Sequence, residues 1–464
     1  MLNDIFVWSI SQKASKIHDT NELKKLISDR QNACIRTQIS LIVPERLLCN
    51  RQPESGFHFD LRGGLEHDMA VAAKMSQFME KSSWIRKMFE EGARLKKIHG
   101  EDKVFDFSLG NPNVPPPDIV REKLIELAKS EEHGKHAYMP NAGLVSTRSA
   151  MSAYFCREFC ISLAHEQVVV TCGAAGGLNI IFKALLDPGD EVLCPAPYFV
   201  EYGFYADNHG GVLKTAPTLD PDFNLDLDRM QEQIGPRTKI VLINSPNNPT
   251  GQVYPEESIA RLGEILRAKS SQFGHVIYLV SDEPYRKIVY DNCCVPCVFM
   301  HYPDSLIASS YSKDLSLPGE RIGFVALSPS AADGTKIIDA LTLANRILGF
   351  VNAPALMQRL VVELQGVCVD VDIYKAKRDR LVNALTEFGY ELTVPRGAFY
   401  LFPKSPLPDD IQFVRLLQEE NILCVPGSGF SGPGHIRIAY CVDDSTIEGA
   451  LPGFARAMKR SKGI

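Results

Sequence analysis

Apolar residues fall into two rhythms along this chain. Between residues 168 and 308 they form short unbroken runs: VVV at Val168–Val170, IVLI at Ile240–Ile243, VIYLV at Val276–Val280 and LIA at Leu306–Ala308. Runs this short, rich in β-branched residues and closed by polar turns, predict buried strands. Val168–Leu186 continues past its strand into a glycine-rich turn and an apolar helix, and Asp187–Tyr202 reads as a turn, a second strand and an aromatic segment. Elsewhere the spacing is helical. Phe78, Trp84, Ile85, Met88, Phe89, Ala93 and Leu95 recur at mostly helical intervals within Met75–His99, and further helices are predicted over Ser330–Glu363 and Tyr374–Phe388. Short strands are expected at Val104–Leu109, Tyr390–Val394 and Ala398–Phe402, and Gly434–Tyr440 alternates like a half-buried strand. The GNPNVPPP run after Leu109 holds too much proline for a helix and enforces an extended loop.

Polar residues punctuate the ends of these strands. From Asn248 to Asp282 is 34 residues, and from Asp282 to Lys313 is 31. Each interval holds one further strand with its connections, as a doubly wound α/β sheet would supply. Carboxyl ends of parallel strands are where such sheets place ligand contacts.

Composition narrows the classes. The 464 residues are 45% hydrophobic and 23% charged, ordinary globular values, with ample length for two or three domains. A net charge of −6 leaves no polyanion-binding footprint, and no apolar run approaches the ~20 residues of a membrane span. The twelve cysteines are scattered; Cys293, Cys294 and Cys297 cluster without a second Cys or His pair at ligand spacing, so no metal site is expected. The first residues carry an acid and lack both a basic segment and a cleavage site, so export is not expected, and the cysteines read as loop and core thiols in a reducing cytoplasm. Residues 1–68 hold balanced charge and no motif, and the texture changes at Met69. They read as a disordered extension or a mis-assigned start, dispensable for activity.

One stretch concentrates chemistry: Ser309–Phe324, SSYSKDLSLPGERIGF. A lysine held against apolar surroundings loses its proton more readily, and a neutral amine attacks carbonyls to form a Schiff base. Ser310, three residues before Lys313, and Arg321, eight after it, suit a phosphate. A solvated loop is the plain alternative for any single lysine.

The whole pattern Ser-x-x-Lys, five residues, Gly-x-Arg-x-Gly resembles the cofactor-lysine segment of class I pyridoxal-phosphate aminotransferases, aspartate aminotransferase-like proteins of fold type I. The resemblance runs from Met69 to about Lys459. It implies a three-layer α/β large domain with a mixed, mostly parallel sheet around the lysine, spanning 118–350. A smaller α+β domain would be built from an N-terminal arm, 69–117, and the C-terminal segment, 351–464. It also implies pyridoxal 5'-phosphate on Lys313, with Asp282 at the ring nitrogen and Asn248 and Tyr285 at the phenolic oxygen. Tyr198 would stack on the ring. The phosphate would be held by Gly173, Ala174, Ala175, Ser310 and Arg321, and by Tyr138 reaching across a homodimer interface. Gly110 and Arg437 would meet the substrate, Arg437 as a bidentate clamp on its α-carboxylate. The phosphate turn departs from the family in offering no side-chain hydroxyl.

The activity implied is ping-pong exchange of an amino group between an L-amino acid and a 2-oxo acid, with Lys313 moving the α-proton. A lyase or synthase on the same scaffold is the alternative. A DNA-binding regulator is the remaining reading, against which the neutral extension lacks any helix-turn-helix pattern. No position identifies a second basic group for a dicarboxylic substrate; Arg346 and Arg148 are unranked candidates.

Overall fold

The computed structural model describes residues 71–81 and 83–463. The expectations for residues 1–68 lie outside them. The body is organised by a sheet of seven strands. In chain order they are β2 (Val168–Thr171), β3 (Glu191–Ala196), β4 (Val212–Pro217), β5 (Thr238–Asn244), β6 (Tyr278–Asp282), β7 (Ser305–Ser310) and β8 (Gly323–Leu327), after a two-residue β1 (Phe105–Asp106) that lies elsewhere. The spatial order is β2-β8-β7-β6-β5-β3-β4. Only β8 runs against its neighbours, so the sheet is mixed and mostly parallel.

The middle strands are apolar along most of their length because both faces are covered, whereas the edge strand β4 carries Lys214 and Thr215 and is largely open. Val168 and Val170 point into one core, Val169 into the other; Val241 and Ile243 join the first, Ile240 and Leu242 the second. Helices complete three layers. Helices α4 (Val145–Phe159), α8 (Glu256–Phe273) and α10 (Ala355–Val362) close the first face through residues such as Phe155, Leu262 and Leu360. On the second, α5 (Gly173–Leu185), α6 (Glu201–Asn208) and α9 (Gly334–Ile347) contribute Ile181, Tyr202 and Leu341.

A separate core gathers Phe107, Tyr374, Leu381, Phe399, Ile438 and Phe454. It is built on β1 paired in parallel with β10 (Ile422–Leu423), and on an antiparallel trio of β9 (Tyr400–Leu401), β12 (Ile436–Ala439) and β11 (Val425–Pro426). Helices α11 (Val371–Phe388) and α13 (Asp444–Ser461) pack on it. Because Ala353, Met357, Leu360 and Leu364 belong to the first core, the large layer runs past 350, and the second core takes over near Val369.

Four local expectations need correction. The helix expected over Ser330–Glu363 is broken after Ile347, where Gly349 and Val351 take positive φ and Pro354 precedes the next helix. No strand forms at Tyr390–Val394, and only Tyr400–Leu401 of Ala398–Phe402 pairs as one. The GHIRIAY strand is not half-buried: Ile436, Arg437, Ile438 and Ala439 are all enclosed, Arg437 included at 5% exposure. Its polar position therefore faces the interior.

Candidate active site

The carboxyl ends of β5, β6 and β7 open on one cavity of about 320 Å³. Gly110, Ala174, Ala175, Asn248, Asp282, Tyr285, Ser310, Lys313, Arg321 and Arg437, all expected from the sequence, line it. The antiparallel course of β8 brings its start to the same edge, where Gly323 pairs with Ser310 on one side and Thr171 on the other. A Cβ at 323 would press on backbone atoms of Ser309 and Gly173, so only glycine lets the three strands meet. Gly173 opens α5 at positive φ, and a Cβ there would stand 2.9 Å from the Arg321 guanidinium. The free amides of that first helical turn, Ser310 and Arg321 thus lie together and suit an anion.

Lys313 follows β7 and donates from Nζ to the Gly110 carbonyl at 2.8 Å. Its amine lies over the rings of Tyr285 and Phe399, at 5.8 and 5.5 Å. Burial lowers its pKa to about 8, and the nearby Arg437 and Arg321 also favour the neutral form.

Asp282 ends β6 fully enclosed. Its Oδ2 accepts from the Tyr202 hydroxyl at 2.5 Å, while Oδ1 has no partner among the described residues. Burial raises its pKa to about 7, against the lowering effect of the Tyr202 hydrogen bond. Asn244 ties this strand end to the next loop: its Nδ2 donates to the Asp282 carbonyl at 2.8 Å, and its Oδ1 accepts from the Asn248 amide at 2.7 Å.

Arg437 comes from the second core. It donates from Nη1 to Asn248 Oδ1 at 3.1 Å and from Nη2 to the Ser108 carbonyl at 2.6 Å. Its Nε has no partner, and burial lowers its pKa. Among the described residues the cavity holds a buried carboxyl group with a free oxygen and a buried guanidinium with no carboxylate beside it. Such groups are costly to leave unmatched and signal a ligand carrying the complementary charges. A protonated pyridine nitrogen matches the first and a carboxylate the second. With an anion cradle and an amine of lowered pKa, these residues fit pyridoxal phosphate and an amino acid.

Tyr198 does not line the cavity; its ring stands 6.4 Å from that of Tyr202, and its neighbour Phe199 lines the cavity instead. Tyr138 is 92% exposed and also away from it. Neither Arg148, which donates to the His165 carbonyl at 3.4 Å, nor the exposed Arg346 reaches it. No local pattern marks Tyr202, Tyr205 or Tyr400 as site residues, because each sits in an aromatic or apolar run that reads equally as core.

Comparison with known proteins accords with this geometry. The family model described as aminotransferase class I and II matches residues 102–453. An aspartate/prephenate aminotransferase of Thermus thermophilus is 32% identical over 363 residues, 76% of this chain and 90% of the relative. Among solved structures, an amino transferase from Eubacterium rectale superposes with a TM-score of 0.82 at 40% identity, covering 85% of this chain and 99% of its own. An aspartate aminotransferase from Thermotoga maritima gives a TM-score of 0.74 at 28% identity, covering 83% and 99%.

Proposed function

Since the chain belongs to the class I and II aminotransferases, a pyridoxal-phosphate-dependent family, and is a transaminase, we propose that Lys313 is the residue that holds the cofactor and moves the proton. The observation that carries this is the convergence of Lys313, the half-satisfied Asp282 and the unpaired Arg437 on one cavity. Bound pyridoxal phosphate supplies the electron sink for the reaction.

The chain supplies the rest. Asp282 Oδ1 would hold the pyridine N–H, a cation that would keep the carboxylate ionised despite its burial. Asn248 and Tyr285 would hold the phenolic oxygen. The amides of Gly173–Ala175, the Ser310 hydroxyl and Arg321 would hold the phosphate. Arg437 grips the substrate α-carboxylate, already aimed by its bonds to Asn248 and Ser108. That grip fixes the substrate's Cα–H bond relative to Lys313. With its pKa lowered to about 8, the Lys313 Nζ is neutral in part just above neutral pH, and that neutral form takes this proton. Phe199, rather than Tyr198, covers the ring. Lys313 gives its proton back, water supplies the carbonyl oxygen as the carbon skeleton leaves as a 2-oxo acid, and a second oxo acid takes up the amino group left behind, with release of water.

The names of the relatives support aspartate as donor and set the lyase reading aside. The exposure of Tyr138 supports a homodimer in which it serves the partner's site, and free thiols at the described cysteines support a cytoplasmic setting. The test is direct. Purified protein should be yellow and exchange aspartate with 2-oxoglutarate, and Lys313→Ala should lose turnover. Full activity in that variant would reject the assignment.

A further inference from the structure

We propose that Tyr400 is a positioning residue, one that sets the direction of the Tyr285 hydroxyl and couples it to the Arg437 clamp. The phenol of Tyr400 is 2% exposed and stands at the cavity wall. Its hydroxyl lies 2.7 Å from that of Tyr285, and the two rings meet edge to face at 5.7 Å. The Arg437 guanidinium stands over the Tyr400 ring, 4.9 Å from its centre. On the remaining side is Gly110, where an added Cβ would fall on the Tyr400 hydroxyl. Packed this closely, neither phenol has room to turn its hydroxyl elsewhere.

One hydrogen bond joins the two hydroxyls, so one donates and the other accepts. Burial raises both acids. The Arg437 guanidinium lowers both, but it stands over the ring of Tyr400, so its charge makes that phenol the better donor, and Tyr400 donates. That leaves the proton of Tyr285 to point into the cavity, and the charge of Arg437 selects this direction. A carboxylate paired with Arg437 weakens that bias, so substrate loading reaches Tyr285 without touching it.

The inference rests on the reading of Tyr285 as a donor to the cofactor's phenolic oxygen, and the experiment separates the two. Holoenzyme is titrated through its visible band as wild type, Tyr400→Phe, Tyr285→Phe and the double variant. The presence of the band in wild type tests the cofactor reading; the response of its midpoint tests the role of Tyr400. Cys441 and Arg321 also face Lys313 and are unchanged in all four proteins. Tyr400→Phe should move the midpoint up by about half a unit to one unit, the worth of one hydrogen bond. It should lower kcat several-fold with little change in KM, and the double variant should match Tyr285→Phe alone. An unmoved midpoint, or losses that multiply in the double variant, would overturn the proposal. Should Tyr400→Phe fold poorly, 3-fluorotyrosine at position 400, a stronger acid, must shift the midpoint down; a shift up would overturn it equally.

Discussion

The Tyr202 hydroxyl donates to one oxygen of Asp282 at 2.5 Å and leaves the other oxygen free. The donor comes from α6 and the acceptor from the end of β6, so two separate elements fix the orientation of one carboxylate. Removing the hydroxyl with Tyr202→Phe should raise the pKa of Asp282 further. If Asp282 works in its ionised form, as proposed, the acidic limb of the kcat/KM profile should move up by about one unit. A limb that stays in place would reduce Tyr202 to packing. Asp282→Ala should cost about a hundredfold or more in kcat, with Asp282→Glu retaining part of it.

Lys313 gives a prediction about stability rather than rate. Its amine is held at about 8 in the folded chain, against 10.5 as the ordinary value. Below pH 8 the amine is charged in both states, and the folded protein bears the whole desolvation cost. Between pH 8 and 10.5 the unfolded chain binds more protons, so stability rises with pH and then levels. In cofactor-free protein, Lys313→Met should therefore be more stable than wild type by roughly 2–3 kcal/mol at pH 7. The gap should close across that window. Urea unfolding at fixed protein concentration measures it, and a gap independent of pH would show that the amine is not desolvated.

Arg437→Lys keeps a charge but loses the planar fork. The relation kcat/KM for amino acids should fall about a hundredfold, mostly through KM, while the visible band remains. Steady-state kinetics with aspartate and with an uncharged amino acid would show the same factor for both, since the α-carboxylate is common to them.

Tyr138 is exposed, and the shared site proposed for it requires a dimer. Light scattering should give twice the chain mass. Tyr138→Phe should leave that mass unchanged and weaken cofactor retention on dialysis several-fold, as loss of one bond to phosphate requires. A fully active monomer would refute the shared site.

What the sequence disclosed follows from how each group is placed. Asn248, Asp282 and Lys313 are polar residues closing apolar runs, and a sheet of parallel strands carries such positions to one edge whatever its details. Arg437 was legible by motif, although its complete burial was not: alternation along Gly434–Tyr440 suggested one wet face, and the second core covers both. The partners were hidden. Tyr202 meets Asp282 across 80 residues and Tyr400 meets Tyr285 across 115, distances at which no local period carries information. Adjacent aromatics defeat pattern reading in another way. Tyr198 and Phe199 differ only in which side of the chain they take, and a single register step exchanges them.

The hairpin of β7 and β8 has a consequence for motion. Ser310 and Gly323 are rungs of the same ladder, and Lys313 and Arg321 lie within the loop it closes. Lysine and arginine therefore cannot be released separately by fraying at this edge: parting the last rungs frees both at once. Occupancy of either anchor should then slow amide exchange at the other, and cofactor loss should proceed as one opening event rather than as two successive detachments.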